Sequence, residues 1–205
     1  MEEVTQVVRR FHVCRLLFAG GGEKTLPLAM EREWPVAPGP FDDRAWDRRI
    51  LEKGAAYAMR EIMLIESKRD HTRAELKRTL LRYGYPEEIC EEALEQMHDA
   101  GIVSDRRYAE GLVRRKSASM GRGKMLYALR QSGVDAETAE SALGAFEEET
   151  ENAAAEKYAL RLFRRGYGRE KVFRSLLSRG YSRSVCVKAV SSAEGENGKE
   201  REASE

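Results

Sequence analysis

The sequence predicts an all-α protein of three tandem three-helix repeats. They would form an elongated, curved solenoid behind a small N-terminal β-hairpin or extended arm. Two marks recurring in step predict this. A Tyr-Ala pair returns at Tyr57-Ala58, Tyr108-Ala109 and Tyr158-Ala159, at intervals of 51 and 50 residues. A glycine returns at Gly84, Gly133 and Gly180, each after an amphipathic run. Self-similarity at such a period is the signature of repeat architectures, which build extended surfaces rather than pockets.

Aligned on their glycines, the repeats share an apolar skeleton. Leu80, Leu129 and Leu176 lie four residues before the glycine, and Leu76, Met125 and Val172 lie eight before it. Steps of four fit one face of a helix. The glycine fits the C′ position, where a left-handed backbone costs little without a Cβ. A following helix starts with Pro86 at N1, or with Asp135 or Ser182 as N-cap. Each repeat therefore reads as three helices: 54–68, 73–83 and 87–99; 105–118, 122–132 and 136–147; 152–165, 169–179 and 183–191. Thr72-Arg73-Ala74-Glu75 has the form of a capping box. A single repeat buries too little surface to stand alone, so neighbours are expected to share a core. The tyrosines read as core residues, and Tyr108 as one whose hydroxyl reaches the surface.

The expected boundaries are an arm at 1–50 with a Pro-rich linker, repeats at 51–101, 102–148 and 149–191, and a disordered tail at 192–205. In the arm, the apolar run His12 to Phe18, the turn Gly20-Gly21-Gly22 and the return Lys24 to Met30 suggest a hairpin. Pro35, Pro38 and Pro40 suggest the linker. The tail is rich in Ser, Glu, Lys and Gly.

Of the 205 residues 35% are charged, yet the net charge is +1. There is no apolar run long enough for a membrane span and no signal-peptide pattern at Met1-Glu2-Glu3, so a cytoplasmic monomer is expected. Cys14, Cys90 and Cys186 have no metal-ligand spacing. Cys90 and Cys186 occupy equivalent places and read as small core residues. His12, His71 and His98 are scattered. Without a nucleophile elbow, a metal motif or a Walker A loop, the sequence points away from an enzyme and implies no cofactor.

Charge is segregated inside the repeat. Between Asp105 and Arg130 lie eight basic residues, Arg106, Arg107, Arg114, Arg115, Lys116, Arg122, Lys124 and Arg130, against Asp105 and Glu110. Ten more lie between Glu156 and Lys188, Arg164 and Arg165 among them, against Glu156 and Glu170. The spans 86–99 and 135–151 are acidic, without Lys or Arg. Complementary packing between neighbours is one account. The other is a basic stripe that follows phosphates or an acidic protein surface. Gly121-Arg122-Gly123-Lys124 at a helix N-terminus reads either as an anion site or as a hinge between repeats.

From Gly101-Ile102-Val103-Ser104-Asp105-Arg106-Arg107-Tyr108-Ala109-Glu110 through Leu112-Val113-Arg114-Arg115-Lys116, the chain resembles the RecX family, regulators of the RecA recombinase. Gly121-Arg122-Gly123 and Arg130-Gln131-Ser132-Gly133-Val134 continue the resemblance. So do Thr72 to Tyr85 and Leu176 to Tyr181, so that it covers about 54–190. Ser104, Lys124 and Ala128 stand where the family often has Asp, Pro and Glu. The resemblance implies a helical three-repeat protein lying in the groove of the RecA–single-stranded DNA filament and inhibiting recombinase, ATPase and co-protease activity. The partner-binding or DNA-binding residues would be Arg107, Tyr108, Arg114, Arg115, Lys116, Arg122, Lys124, Arg130, Arg164 and Arg165. A nucleic-acid-binding helical repeat acting without RecA, and a scaffold for another protein, are the alternatives. A binder acting through phosphates would lose affinity steeply with salt.

Overall fold

The computed structural model describes residues 2–144, 146 and 148–202. The chain forms two units, Met1–Ser104 and Asp105–Glu205.

The first unit opens with more than a hairpin. Strands β1 (Glu2–Arg10), β2 (Val13–Phe18), β3 (Glu23–Pro27) and β4 (Gly39–Phe41) make one antiparallel sheet in the order β3-β2-β1-β4. Cys14 and Leu16 are buried and Arg15 between them is exposed, the alternation of a sheet with one covered face. The short helix α1 (Leu28–Glu31) links β3 to β4, and α2 (Asp43–Glu66), α3 (Arg73–Arg82) and α4 (Glu87–Asp99) follow. Strand residues Val4, Leu16 and Leu26 share one core with Trp46, Ile50, Leu76, Leu80 and Met97 of the helices.

The expected linker is therefore shorter than 50. Helix α2 begins at Asp43, with the Asp42 carboxylate capping the Ala45 N–H at 3.0 Å. Trp46, Ile50, Gly54, Tyr57 and Ala58 form its buried stripe. The three prolines stop short of this helix, and Pro40 itself pairs within β4 at a sheet edge, where a proline is tolerated. Gly54 lets α2 approach α4, since a Cβ there would lie 3.0 Å from Ile89 Cγ2.

The second unit holds α5 (Asp105–Lys116), α6 (Arg122–Gln131), α7 (Ala136–Gly144), α8 (Glu148–Arg164), α9 (Arg169–Ser178) and α10 (Arg183–Glu202). Residues 145 and 147 of the helix expected at 136–147 lie outside the described residues. So do 203–205 of the expected tail. The rest of that tail, 192–202, is helical, and Ala193 is fully buried against the last core.

Three helix triplets are present, and in each the first helix packs on the third: α2 on α4, α5 on α7, α8 on α10. The second helices end alike. At Gly84, Gly133 and Gly180 φ is +91°, +90° and +84°. The next residue's N–H reaches back to Leu80, Leu129 or Leu176 at 3.2, 3.1 and 3.4 Å, and the glycine N–H reaches Leu81, Arg130 or Leu177. This is the double-bonded Schellman ending, with Tyr85, Val134 and Tyr181 buried just past it. Thr72 and Glu75 complete the capping box, and Asp135 and Ser182 cap α7 and α10. Pro86 sits one place earlier than expected, at the N-cap itself, with extended φ and ψ.

Among the described residues of the second unit, no core is shared between neighbouring triplets. The apolar residues of α5–α7 and of α8–α10 form two separate clusters. What joins the triplets is described next.

Candidate partner-binding surface

The basic run Arg114-Arg115-Lys116 occupies the last turn of α5, where positive charge complements the helix dipole. All three side chains are exposed, and none makes an ion pair among the described residues. The buried face of the same helix is Tyr108, Ala109, Leu112 and Val113. That stripe turns the run outward. Arg107, Arg130, Arg164 and Arg165 are exposed as well.

Tyr108, Arg122 and Lys124 have internal partners. Tyr108 is 6% exposed, and its hydroxyl shares a 2.9 Å hydrogen bond with Ser132 Oγ. Its hydroxyl therefore serves the fold. The Arg122 guanidinium donates to the Leu143 carbonyl at 2.8 Å and to Glu140 at 2.9 Å. Lys124 Nζ approaches the Ser178 carbonyl at 3.4 Å.

Gly121-Arg122-Gly123-Lys124 is neither an open anion site nor a loose hinge. The Gly121 N–H donates to the Arg179 carbonyl at 3.0 Å and the Gly123 N–H to the Gly180 carbonyl at 3.1 Å. The Arg122 N–H donates to the buried Glu151 carboxylate at 2.8 Å. The positive end of α6 thus meets an anion, and that anion is the chain's own Glu151. A backbone-to-backbone joint replaces the shared core.

The cysteines are core residues. Cys90 and Cys186 are fully buried and their thiols approach the Tyr85 and Tyr181 carbonyls at 3.7 Å, the same contact in two triplets. Burial pushes the Cys90 thiol up to about 11, so it is no nucleophile at neutral pH. Among the described residues there is no cluster of metal-ligating side chains, and no helix is long and apolar enough to cross a membrane.

Sequence reasoning passed over Lys157 and Arg161, which stand two turns and one turn before Arg164 on α8. Their spacing was a usable signal, because Ala155, Ala159, Leu162 and Phe163 fill the opposite, buried face.

Two family models match the chain: the first RecX three-helix domain at residues 67–97 and the second at 104–143. The regulatory protein RecX of Mycolicibacterium smegmatis is 31% identical over 164 residues, covering 74% of this chain and 86% of that protein. The chain belongs to the RecX family. The regulatory protein RecX of Mycolicibacterium vanbaalenii is 33% identical over 147 residues, covering 65% of this chain and 79% of its own. Two crystal structures share the fold. One of a regulatory protein RecX has a TM-score of 0.63 at 22% identity and covers 89% of this chain and 96% of its own. The other, RecX from Lactobacillus salivarius, has a TM-score of 0.63 at 21% identity and covers 68% of this chain and 96% of its own. The second RecX domain model spans α5, α6 and most of α7, so the exposed run 114–116 lies inside the matched region.

Proposed function

We propose that this chain is a negative regulator of the RecA recombinase. In this reading it binds in the groove of the RecA–single-stranded DNA filament and inhibits recombinase, ATPase and co-protease activity. It acts as a cytoplasmic monomer in DNA repair, recombination and the SOS response, and its three helix triplets lie along the filament as a curved solenoid. Membership of the RecX family supports the partner. The observation that carries the contact is the exposed run Arg114-Arg115-Lys116, which makes no ion pair among the described residues and is held outward by the buried face of α5. Arg107, Arg130, Arg164 and Arg165 add to the same basic character, and a surface of this kind favours an acidic protein face or phosphates.

The test is RecA's DNA-dependent ATPase on single-stranded DNA, with this protein titrated far below the RecA concentration. Substoichiometric inhibition is expected, as for end capping or disassembly. Arg114→Glu/Arg115→Glu should fold normally and lose inhibition at least about tenfold, since like charges replace complementary ones. No inhibition by the folded wild-type protein would overturn the reading. Full inhibition by the folded double variant would remove these two residues from the contact.

A further inference from the structure

A second basic feature of the Asp105–Glu205 unit is a recess rather than a run. The loop after α5, helix α8 and the end of α9 enclose a cleft of about 550 Å³. Lys157, Arg161 and Arg164 enter it from α8 and Arg179 from the C-cap of α9, and no carboxylate is among the described residues that line it. Ala118, Ala153, Ala154 and Leu160 give it an apolar wall.

Two of the cations, Arg161 and Arg179, are held in place. Arg179 donates to the Ser119 carbonyl at 2.9 Å, and its guanidinium carbon stands 4.1 Å from the centre of the Tyr158 ring. The Arg161 guanidinium stands 5.0 Å from the same ring. Tyr158 is fixed in turn by a 2.9 Å hydrogen bond between its hydroxyl and Ser175 Oγ. Burial works to raise the Tyr158 hydroxyl. The hydrogen bond to Ser175 and the adjacent Arg179 and Arg161 guanidiniums outweigh it and hold the group below the ordinary tyrosine value. Here the third repeat tyrosine departs from its two buried counterparts: it orients two guanidiniums at a cleft instead of filling a core.

We propose that this cleft binds the phosphodiester backbone of single-stranded nucleic acid. A phosphate sits among Lys157, Arg161 and Arg179, and the adjoining nucleotide lies against Leu160 and the alanines. Guanidinium forks match phosphate oxygens in a way that a lysine-rich patch does not. The volume lies in the range of small-ligand sites. It admits a nucleotide of an unpaired strand, whereas a duplex keeps its bases stacked inside. An apolar wall beside the cations suits a nucleotide better than a run of acidic side chains. Nothing in this proposal depends on the recombinase reading, and its assay contains no recombinase.

The experiment is fluorescence anisotropy of the full chain with short labelled oligo(dT), over a range of salt. The wild-type protein should bind with affinity falling linearly in log–log form with salt. Lys157→Glu/Arg161→Glu should weaken binding at least about tenfold and lower the salt slope by about 2. Ala153→Glu places an acid on the exposed cleft wall at little cost to folding, and it should weaken binding even if the double variant proves unstable. Lys53→Glu, exposed in the other unit, controls for net charge and should change affinity less than about twofold. Absence of salt-dependent binding by the folded wild type would overturn the proposal. So would equal weakening by Lys53→Glu, undiminished binding by the folded cleft variants, or equally effective displacement of the oligomer by poly-glutamate.

Discussion

Gly121 and Gly180 meet backbone to backbone: a Cβ built on Gly121 would stand 2.5 Å from the Gly180 carbonyl carbon and oxygen. The contact closes the joint between the second and third helix triplets, beside the N–H bonds of Gly121 and Gly123 to the carbonyls of 179 and 180. Gly180 carries two constraints at once. Its φ of +84° ends α9, and a Cβ there would overlap the backbone of Lys124.

Those constraints can be separated. Gly166 has φ +82° with nothing within 4 Å of a Cβ, so Gly166→Ala meets only the left-handed strain, about 1–2 kcal/mol. Gly180→Ala meets the strain and the collision, and should cost about 1–3 kcal/mol more. Urea unfolding of the two variants measures the difference. Equal losses would mean that the joint yields and contributes no stability.

Arg122 and Arg114 should behave in opposite ways although both belong to one basic stretch. Arg122→Ala removes two hydrogen bonds from a half-exposed guanidinium and should cost about 1–2 kcal/mol. Arg114→Ala removes no ion pair found among the described residues and should stay within about 0.5 kcal/mol of wild type. Thermal melts of the two single variants decide this. A melting point that falls with Arg114→Ala as far as with Arg122→Ala would place Arg114 in the packing instead.

Glu31 makes the first unit sensitive to acid. Its side chain is buried, and it accepts from Arg9 Nε at 2.9 Å and from the Val36 N–H at 3.0 Å. Burial works to raise its carboxyl. The hydrogen bonds and charge of Arg9, the Val36 N–H and the charge of Arg32 prevail and hold it below the ordinary glutamate value. A folded pKa below the unfolded one means that the stabilisation is full above the unfolded value, about 4.3. It is lost as pH falls through the folded value. Glu31→Gln should cost about 1–3 kcal/mol at pH 7 and flatten this acid limb. Unfolding free energies between neutral and acidic pH report both effects. An unchanged pH profile would assign the limb to other carboxylates.

The end of α10 gives a simpler test. Gly195 and Gly198 lie inside the helix with nothing within 4 Å of a Cβ. Replacing each by Ala should favour the helix by about 0.5–1 kcal/mol and deepen the far-UV circular dichroism signal near 222 nm. No change in that signal would mean that the segment is not helical in solution.

Local chemistry made much of the helical part legible. Leu80, Leu129 and Leu176, each four residues before a glycine, carry the Schellman endings because the φ > 0 requirement and the buried residue after it are written within six residues. Thr72 and Glu75 announce their helix start in the same way. The outward placement of Arg114, Arg115 and Lys116 follows from the apolar stripe of α5, which a 3.6-residue period reveals. Asp43–Ile50 was legible too, through Trp46, Ile50 and Gly54, but three nearby prolines masked it.

The sequence by itself determined the glycine endings of the second helices, the capping box at Thr72, the buried faces and the small core cysteines. Each of these depends on residues close together in the chain. Only the tertiary structure decided that β4 joins the far edge of the sheet and that Glu151 occupies the positive end of α6. It alone decided that Arg122 is tied to Leu143 and Glu140, and that Arg179 completes a cleft with Lys157 and Arg161. Those pairings join residues between 18 and 39 positions apart, and no local periodicity specifies which distant backbone or charge a side chain will meet. Packing of the triplets makes that choice, and it converts some of a uniform-looking basic stretch into structural contacts while leaving Arg114, Arg115 and Lys116 exposed.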